Sequence, residues 1–227
     1  MMNEMKKACK LIKYGFNLKM NLGFGIIFMI FGVIFSVLGS MMSSANHMQP
    51  AVLSTMYVFL GPLMIVQVLY TLLYSEMAKS SPRNYTLEVT APNIFSTVIG
   101  IFSYLFSIIG AWIGMKVSPD LAENYYAVII SSGILLINML LYFGVCYKYF
   151  VLGTIGFVIG FLVIYRGLSG YIFEHGLPFK LNFVNSSLIS GVIVAVGIIL
   201  SCILRKLLYK KPVSKLSAGA YLKKAME

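Results

Sequence analysis

Residues 125–165, YYAVIISSGILLINMLLYFGVCYKYFVLGTIGFVIGFLVIY, form a run of 41 residues whose only formal charge is Lys148. As one helix rising 1.5 Å per residue it would be about 60 Å long, twice the thickness of a hydrocarbon core of roughly 30 Å. One crossing cannot hold it. The run therefore predicts two spans, 125–146 and 149–165, joined by a tight helical hairpin that turns at Lys148.

Outward from this hairpin, stretches free of Asp, Glu, Lys and Arg recur at 22–42, 52–74, 94–115 and 187–204. Each is close to the length that a spanning helix needs. Over the 227 residues, 59% are apolar, 11% are charged and the mean hydropathy is +0.87. Soluble domains carry about 25% charged residues, so this composition excludes an ordinary water-soluble fold. The expected fold class is all-α: a polytopic integral membrane protein with six transmembrane helices in a single domain, 1–227.

Eighteen basic residues against seven acidic ones give a net charge of +11. A nucleic-acid partner would need those charges on a broad water-facing surface, which this chain lacks. Their distribution follows the positive-inside rule instead. With six spans, 15 fall on one side: Lys6, Lys7, Lys10, Lys13 and Lys19; Lys79 and Arg83; Lys148; and Arg205, Lys206, Lys210, Lys211, Lys215, Lys223 and Lys224 in a basic tail, 205–227. Only Lys116, Arg166 and Lys180 fall on the other. Both termini are thus expected in the cytosol. Cys9, Cys146 and Cys202 also fall at inner ends, where thiols stay reduced, and their number and spacing give neither a disulfide framework nor a zinc signature. The first apolar run exceeds the 7–15 residues of a signal-peptide core, so it is read as a retained span.

Three non-spanning segments carry their own patterns. Within residues 1–20, Met5, Cys9, Ile12, Phe16 and Met20 recur at helical spacing opposite Lys6, Lys10, Lys13 and Asn17, which predicts an amphipathic helix along the inner membrane surface. The inner connection 76–92 is polar, and Pro82 and Pro92 bracket room for one short helix. The outer connection 166–186 holds apolar pieces too short to span, broken by Gly176 and Pro178, and is read as a re-entrant or interfacial pair. Small residues line single faces of the spans: Gly25, Gly32 and Gly39; Gly110 and Gly114; Gly156 and Gly160; Ser187, Gly191 and Ala195. Gly61-Pro62 should kink the second span.

The motifs of enzymes are missing. His47 and His175 lie in separate outer connections, and the sequence has no His-Glu-x-x-His, Gly-x-Ser-x-Gly or Walker loop. No catalytic, cofactor-binding or metal-ligating residues are assigned, and the chain is not expected to be an enzyme. No Asp, Glu, Lys, Arg or His falls in the six expected spans, which argues against proton-coupled transport. Energy for uphill transport would then enter from a partner, through the inner edge. Gln67 and Asn138 are the sparse polar residues of the spans, as candidates for a cargo path or for interhelical hydrogen bonds.

In layout the chain resembles the permease subunits of bacterial ATP-binding cassette exporters of the second exporter class, in their short form. The likeness rests on three segments in matching positions: the amphipathic helix before span one, the 76–92 connection between spans two and three, and the 166–186 segment between spans five and six. It implies that 76–92 is a coupling segment for a separate ATPase, and the polar side chains which that segment itself offers, Glu76, Lys79, Arg83, Tyr85 and Glu88, are the candidate contact residues. It also implies two ATPase subunits that bind ATP and Mg, a second permease subunit, identical or related, and residence in the bacterial cytoplasmic membrane. The cargo would be amphipathic or hydrophobic, a peptide before a lipid or drug. The alternatives are the substrate-binding membrane subunit of a vitamin importer and a non-transporting immunity or assembly protein.

Overall fold

The computed structural model describes residues 18–41, 59–63, 84–163 and 181–214. Among them the chain is helical, without strands. Helix α1 (Leu18–Met41) comes first. A π-helical turn (Thr86–Thr90) then runs without a break into α2 (Ala91–Val117), and a 3-10 turn (Pro119–Leu121) leads into α3 (Ala122–Val145). Helices α4 (Phe150–Val163) and α5 (Phe183–Leu208) complete the order. Thr86–Val117, Ala122–Val145 and Phe183–Leu208 are each long and apolar enough to cross a membrane. Shorter apolar helical runs cover Gly23–Ile34 and Phe150–Val163.

Several boundaries differ from those the charge-free runs predict. The helix expected at 94–115 begins before Pro92, and the helix expected at 187–204 starts at Phe183 and ends at Leu208. Four residues assigned to the outer segment 166–186 are therefore the first turn of α5. That turn is capped by Asn182, whose side chain accepts a hydrogen bond from the Asn185 N–H at 2.7 Å. Arg205 to Leu208, assigned to the tail, form its last turn. Most of the amphipathic segment 1–20, most of the 52–74 span and residues 166–180 of the outer segment lie outside the described residues.

Pro92 shows why bracketing prolines misplace a helix. A proline inside an α-helix lacks a donor and its ring clashes with the carbonyl four residues back. Here the preceding turn is π-helical, with the Ala91 N–H bonded to the Thr86 carbonyl, five residues back. The widened turn accommodates the ring, and Pro92 is buried within a continuous helix instead of ending one.

Helix α3 is the centre. It packs against α2, α4 and most extensively α5, and Leu135, Leu136, Met139, Leu140, Phe143 and Cys146 form the heart of the core. The chain turns at 146–148, so α3 and α4 form a helical hairpin at the expected turn; over its described residues α4 is a 14-residue apolar helix, shorter than the expected span 149–165. The α3–α5 seam is close because small residues meet there. A Cβ on Gly133 would collide with Ser190, and one on Gly144 would stand 3.3 Å from Ser201 Oγ. Ser190 also donates across the seam to the Ile129 carbonyl at 2.8 Å. The buried face of α5 is Ser186, Ser190, Val194, Gly197, Ser201 and Arg205, one position removed from the expected Ser187, Gly191 and Ala195. Ala195 is exposed. Where a helix is apolar all round, small residues occur on neighbouring faces and periodicity alone does not select between them.

Candidate functional site

The N-terminal end of α2, the α3–α4 turn and the C-terminal end of α5 converge at one end of the bundle, called here the basic end. Three charged side chains are buried there. Glu88, on the π-helical turn, accepts a hydrogen bond from Lys148 Nζ at 2.8 Å; each of these side chains is 7% exposed. Arg205 is fully buried. Its Nε and Nη2 donate to the Phe143 carbonyl at 3.1 and 2.9 Å, and its Nη1 donates to Asn93 Oδ1 and Ser96 Oγ, both at 2.9 Å.

The local sequence sets up each contact. Arg205 continues the 4-4-3-4-4 spacing of the buried face of α5, so its side chain must enter the bundle where Phe143 ends its last core turn. The Phe143 carbonyl lies in the final turn of α3, and a two-pronged guanidinium suits it, since Nε and Nη2 both reach the one oxygen. Ser96 Oγ donates to the Pro92 carbonyl at 2.7 Å while accepting from Arg205. Tyr147 closes the group, donating its hydroxyl to the Arg205 carbonyl at 2.8 Å. Burial, then the nearby Glu88 carboxylate, pushes the Tyr147 phenol well above its ordinary range, so it remains a donor.

These contacts fasten three helices into one polar knot. Removing charge from water is costly, and such groups stay ionised only when closely paired or hydrogen-bonded. Glu88 and Lys148 meet that condition through each other. Arg205 meets it through neutral acceptors. Among the described residues no group of His, Cys, Asp and Glu could hold a metal ion.

Of the five residues expected to meet a partner, the described structure includes two. Tyr85 is exposed and packs edge-to-face on Tyr209, with ring centroids 5.0 Å apart. Glu88 faces inward, held by Lys148, so in this conformation its carboxylate is not open to a partner. Glu76, Lys79 and Arg83 lie outside the described residues, as does Gln67. Asn138 donates to the Phe157 carbonyl at 3.1 Å, linking α3 to α4, and Gly160 leaves room for its amide, 2.6 Å from the position a Cβ would take.

Arg205, Lys148, Tyr147, Asn93 and Ser96 were not among the expected site residues. The charge pattern puts Arg205 in a basic cytosolic tail, 205–227; in the structure it is instead buried in the last turn of α5. The spacing from Ser186 through Ser201 carries the signal, because it projects one more buried position onto 205. No protein-family model, no curated protein and no solved structure matches this chain.

Proposed function

We propose that this chain is the membrane-spanning permease subunit of a bacterial ATP-driven exporter, worked by a separate ATPase at its basic end and moving an amphipathic or hydrophobic cargo. One observation carries the reading. The end of the 76–92 segment continues directly into α2 and is fastened by Glu88–Lys148 to the α3–α4 turn and by Asn93 and Ser96 to Arg205 of α5. A push delivered there reaches three helices at once, with no loop to absorb it. A separate loop helix would need a further device to transmit force.

Basic charge supports the same orientation, since the end that gathers Lys148, Arg205, Lys206, Lys210 and Lys211 is the one the positive-inside rule assigns to the cytosol. The test is purification of the full chain in mild detergent, identification of the copurifying chains, and reconstitution with them. An ATPase subunit should copurify, and cargo should accumulate only with hydrolysable ATP. Uphill accumulation by the chain alone, or a protective effect in cells that persists with every ATPase partner inactive, would overturn the proposal. The second outcome would favour a non-transporting immunity or assembly protein.

A further inference from the structure

Around α2–α5 the charge is divided very unevenly. Among the described residues of α2–α5 and their connections, the basic end holds Lys148, Arg205, Lys206, Lys210 and Lys211 against Glu88, and the opposite end holds Lys116 against Asp120 and Glu123. Glu88 is already taken by Lys148 and Arg205 is buried. Lys206, Lys210 and Lys211 remain, all exposed. At this end the described residues contain no carboxylate left to meet them.

These lysines are held on ordered backbone. Lys206 is in the last turn of α5 and Lys210 follows one turn later. The Lys211 N–H bonds the Leu208 carbonyl at 2.9 Å, and the Ser214 N–H bonds the Lys148 carbonyl at 3.0 Å. Val213 packs against the core, and Tyr209 packs against Tyr85. Residues 209–214 thus fold back over the α3–α4 turn and fix where the lysines stand.

Where they stand identifies the partner. The exposed face of α5 below them is a continuous apolar stripe of Val192, Val196, Ile199, Ile203 and Leu207, the last 66% exposed. From Ile203 the same face reaches Lys206 after three residues and Lys210 after four more. The change from apolar to cationic takes about one helical turn, roughly 5 Å. In a bilayer, acyl chains meet such a stripe and phosphate groups lie directly above it, and lysine stems run along apolar surface with the ammonium in the headgroup layer.

We propose that Lys206, Lys210 and Lys211 form a preorganised site for anionic phospholipid headgroups at the basic end. The site does not depend on the permease reading. A protein partner with an acidic segment would match the charge but not the adjoining apolar stripe.

The test compares the full chain in nanodiscs of phosphatidylcholine alone and of phosphatidylcholine with phosphatidylglycerol, counting lipids retained after partial delipidation by native mass spectrometry. Phosphatidylglycerol should be retained preferentially. K206Q/K210Q/K211Q should lower that preference about tenfold or more, on the scale expected for three headgroup-level lysines. K206R/K210R/K211R should keep it, and so should most of it survive in K215Q/K223Q/K224Q, which removes the same charge farther along the chain. Equal losses in the two glutamine triples would overturn the proposal, because a diffuse basic tail would then suffice. So would no preference in the unaltered protein, or displacement of phosphatidylglycerol by soluble polyglutamate at physiological salt.

Discussion

Glu88 and Lys148 are coupled strongly enough that removing both should do less harm than removing either. Each side chain is 7% exposed and their charged atoms are 2.8 Å apart. Deleting one partner of a buried pair strands the other charge, at a cost of about 3–5 kcal/mol. The two deletions should differ within that range. In E88M the stranded lysine has a long stem and lies near the bundle end, so it can reach toward water. In K148M the stranded carboxylate sits on a short stem held within the π-helical turn. K148M should therefore cost about 5 kcal/mol and E88M about 3. E88M/K148M replaces the pair with apolar groups of similar length and should come within about 1 kcal/mol of the parent, since such replacements are often neutral. At about 2–4 °C per kcal/mol for a chain of this size, the single variants should melt roughly 6–20 °C lower. Thermal unfolding in detergent, read by tryptophan-independent probes such as circular dichroism, measures all four proteins. Additive losses, with the double variant the least stable, would refute the account of the pair as a coupled buried charge.

Other contacts give sharper contrasts. Arg205→Lys keeps the charge but cannot reach the Phe143 carbonyl, Asn93 and Ser96 together; it should cost about 1–3 kcal/mol for the acceptors left unmet, read in the same melts. Gly133→Ala should lose about 1–3 kcal/mol, because its Cβ would meet Ser190 Oγ and would stand 3.1 Å from the Ser190 Cα and carbonyl oxygen. Gly156→Ala, with nothing within 4 Å of its Cβ, should be neutral or stabilising in a parallel melt. Tyr147 gives a pH dependence: its raised folded-state pKa favours the native state fully below the unfolded value of about 10 and loses that contribution as pH rises past it. Between pH 9 and 11 the parent should lose more melting temperature than Y147F.

What the sequence made legible follows from what a charge-free run can report. The α3–α4 hairpin is visible because 41 nearly uncharged residues exceed one crossing and Lys148 marks their turn. The same criterion misplaced the ends of α2 and α5. It stops a helix at the first charge, and in this bundle Glu88 and Arg205 are carried inside by partners more than fifty residues away. Local sterics make Pro92 a boundary in a regular α-helix, and the π-helical turn that admits it has no local signature. The small-residue faces were recognised, but the choice between Ser187-Gly191-Ala195 and Ser190-Gly197-Ser201 depends on where α3 lies. That is tertiary information, and the even hydrophobicity of α5 conceals it.

The polar knot also constrains how the bundle can move. Helices α2, α3 and α5 share the Arg205 contacts at the basic end; nearer the start of α5, Tyr104 of α2 donates to the Ser187 carbonyl and Ser190 donates to the Ile129 carbonyl of α3, so the three are tied at two levels. Relative motion among them would break several buried hydrogen bonds together. Helix α4 is different. Among its described residues only Gly153 is buried, while Leu152, Ile155, Val158, Ile159, Leu162 and Val163 are exposed, and its polar ties to α3 are side-chain contacts, the bond from Asn138 to the Phe157 carbonyl and the pairing of Tyr142 with Thr154. If force enters at the 76–92 segment, α2, α3 and α5 respond as one rigid body, and the α3–α4 interface is a boundary at which the bundle can rearrange without breaking the Arg205 contacts. Under the proposed function, Asn138→Leu should leave ATPase copurification intact, because that contact forms at the basic end, yet change the transport rate by loosening α4. An unchanged rate, with Asn138→Leu folded and coupled, would move the site of rearrangement away from α4.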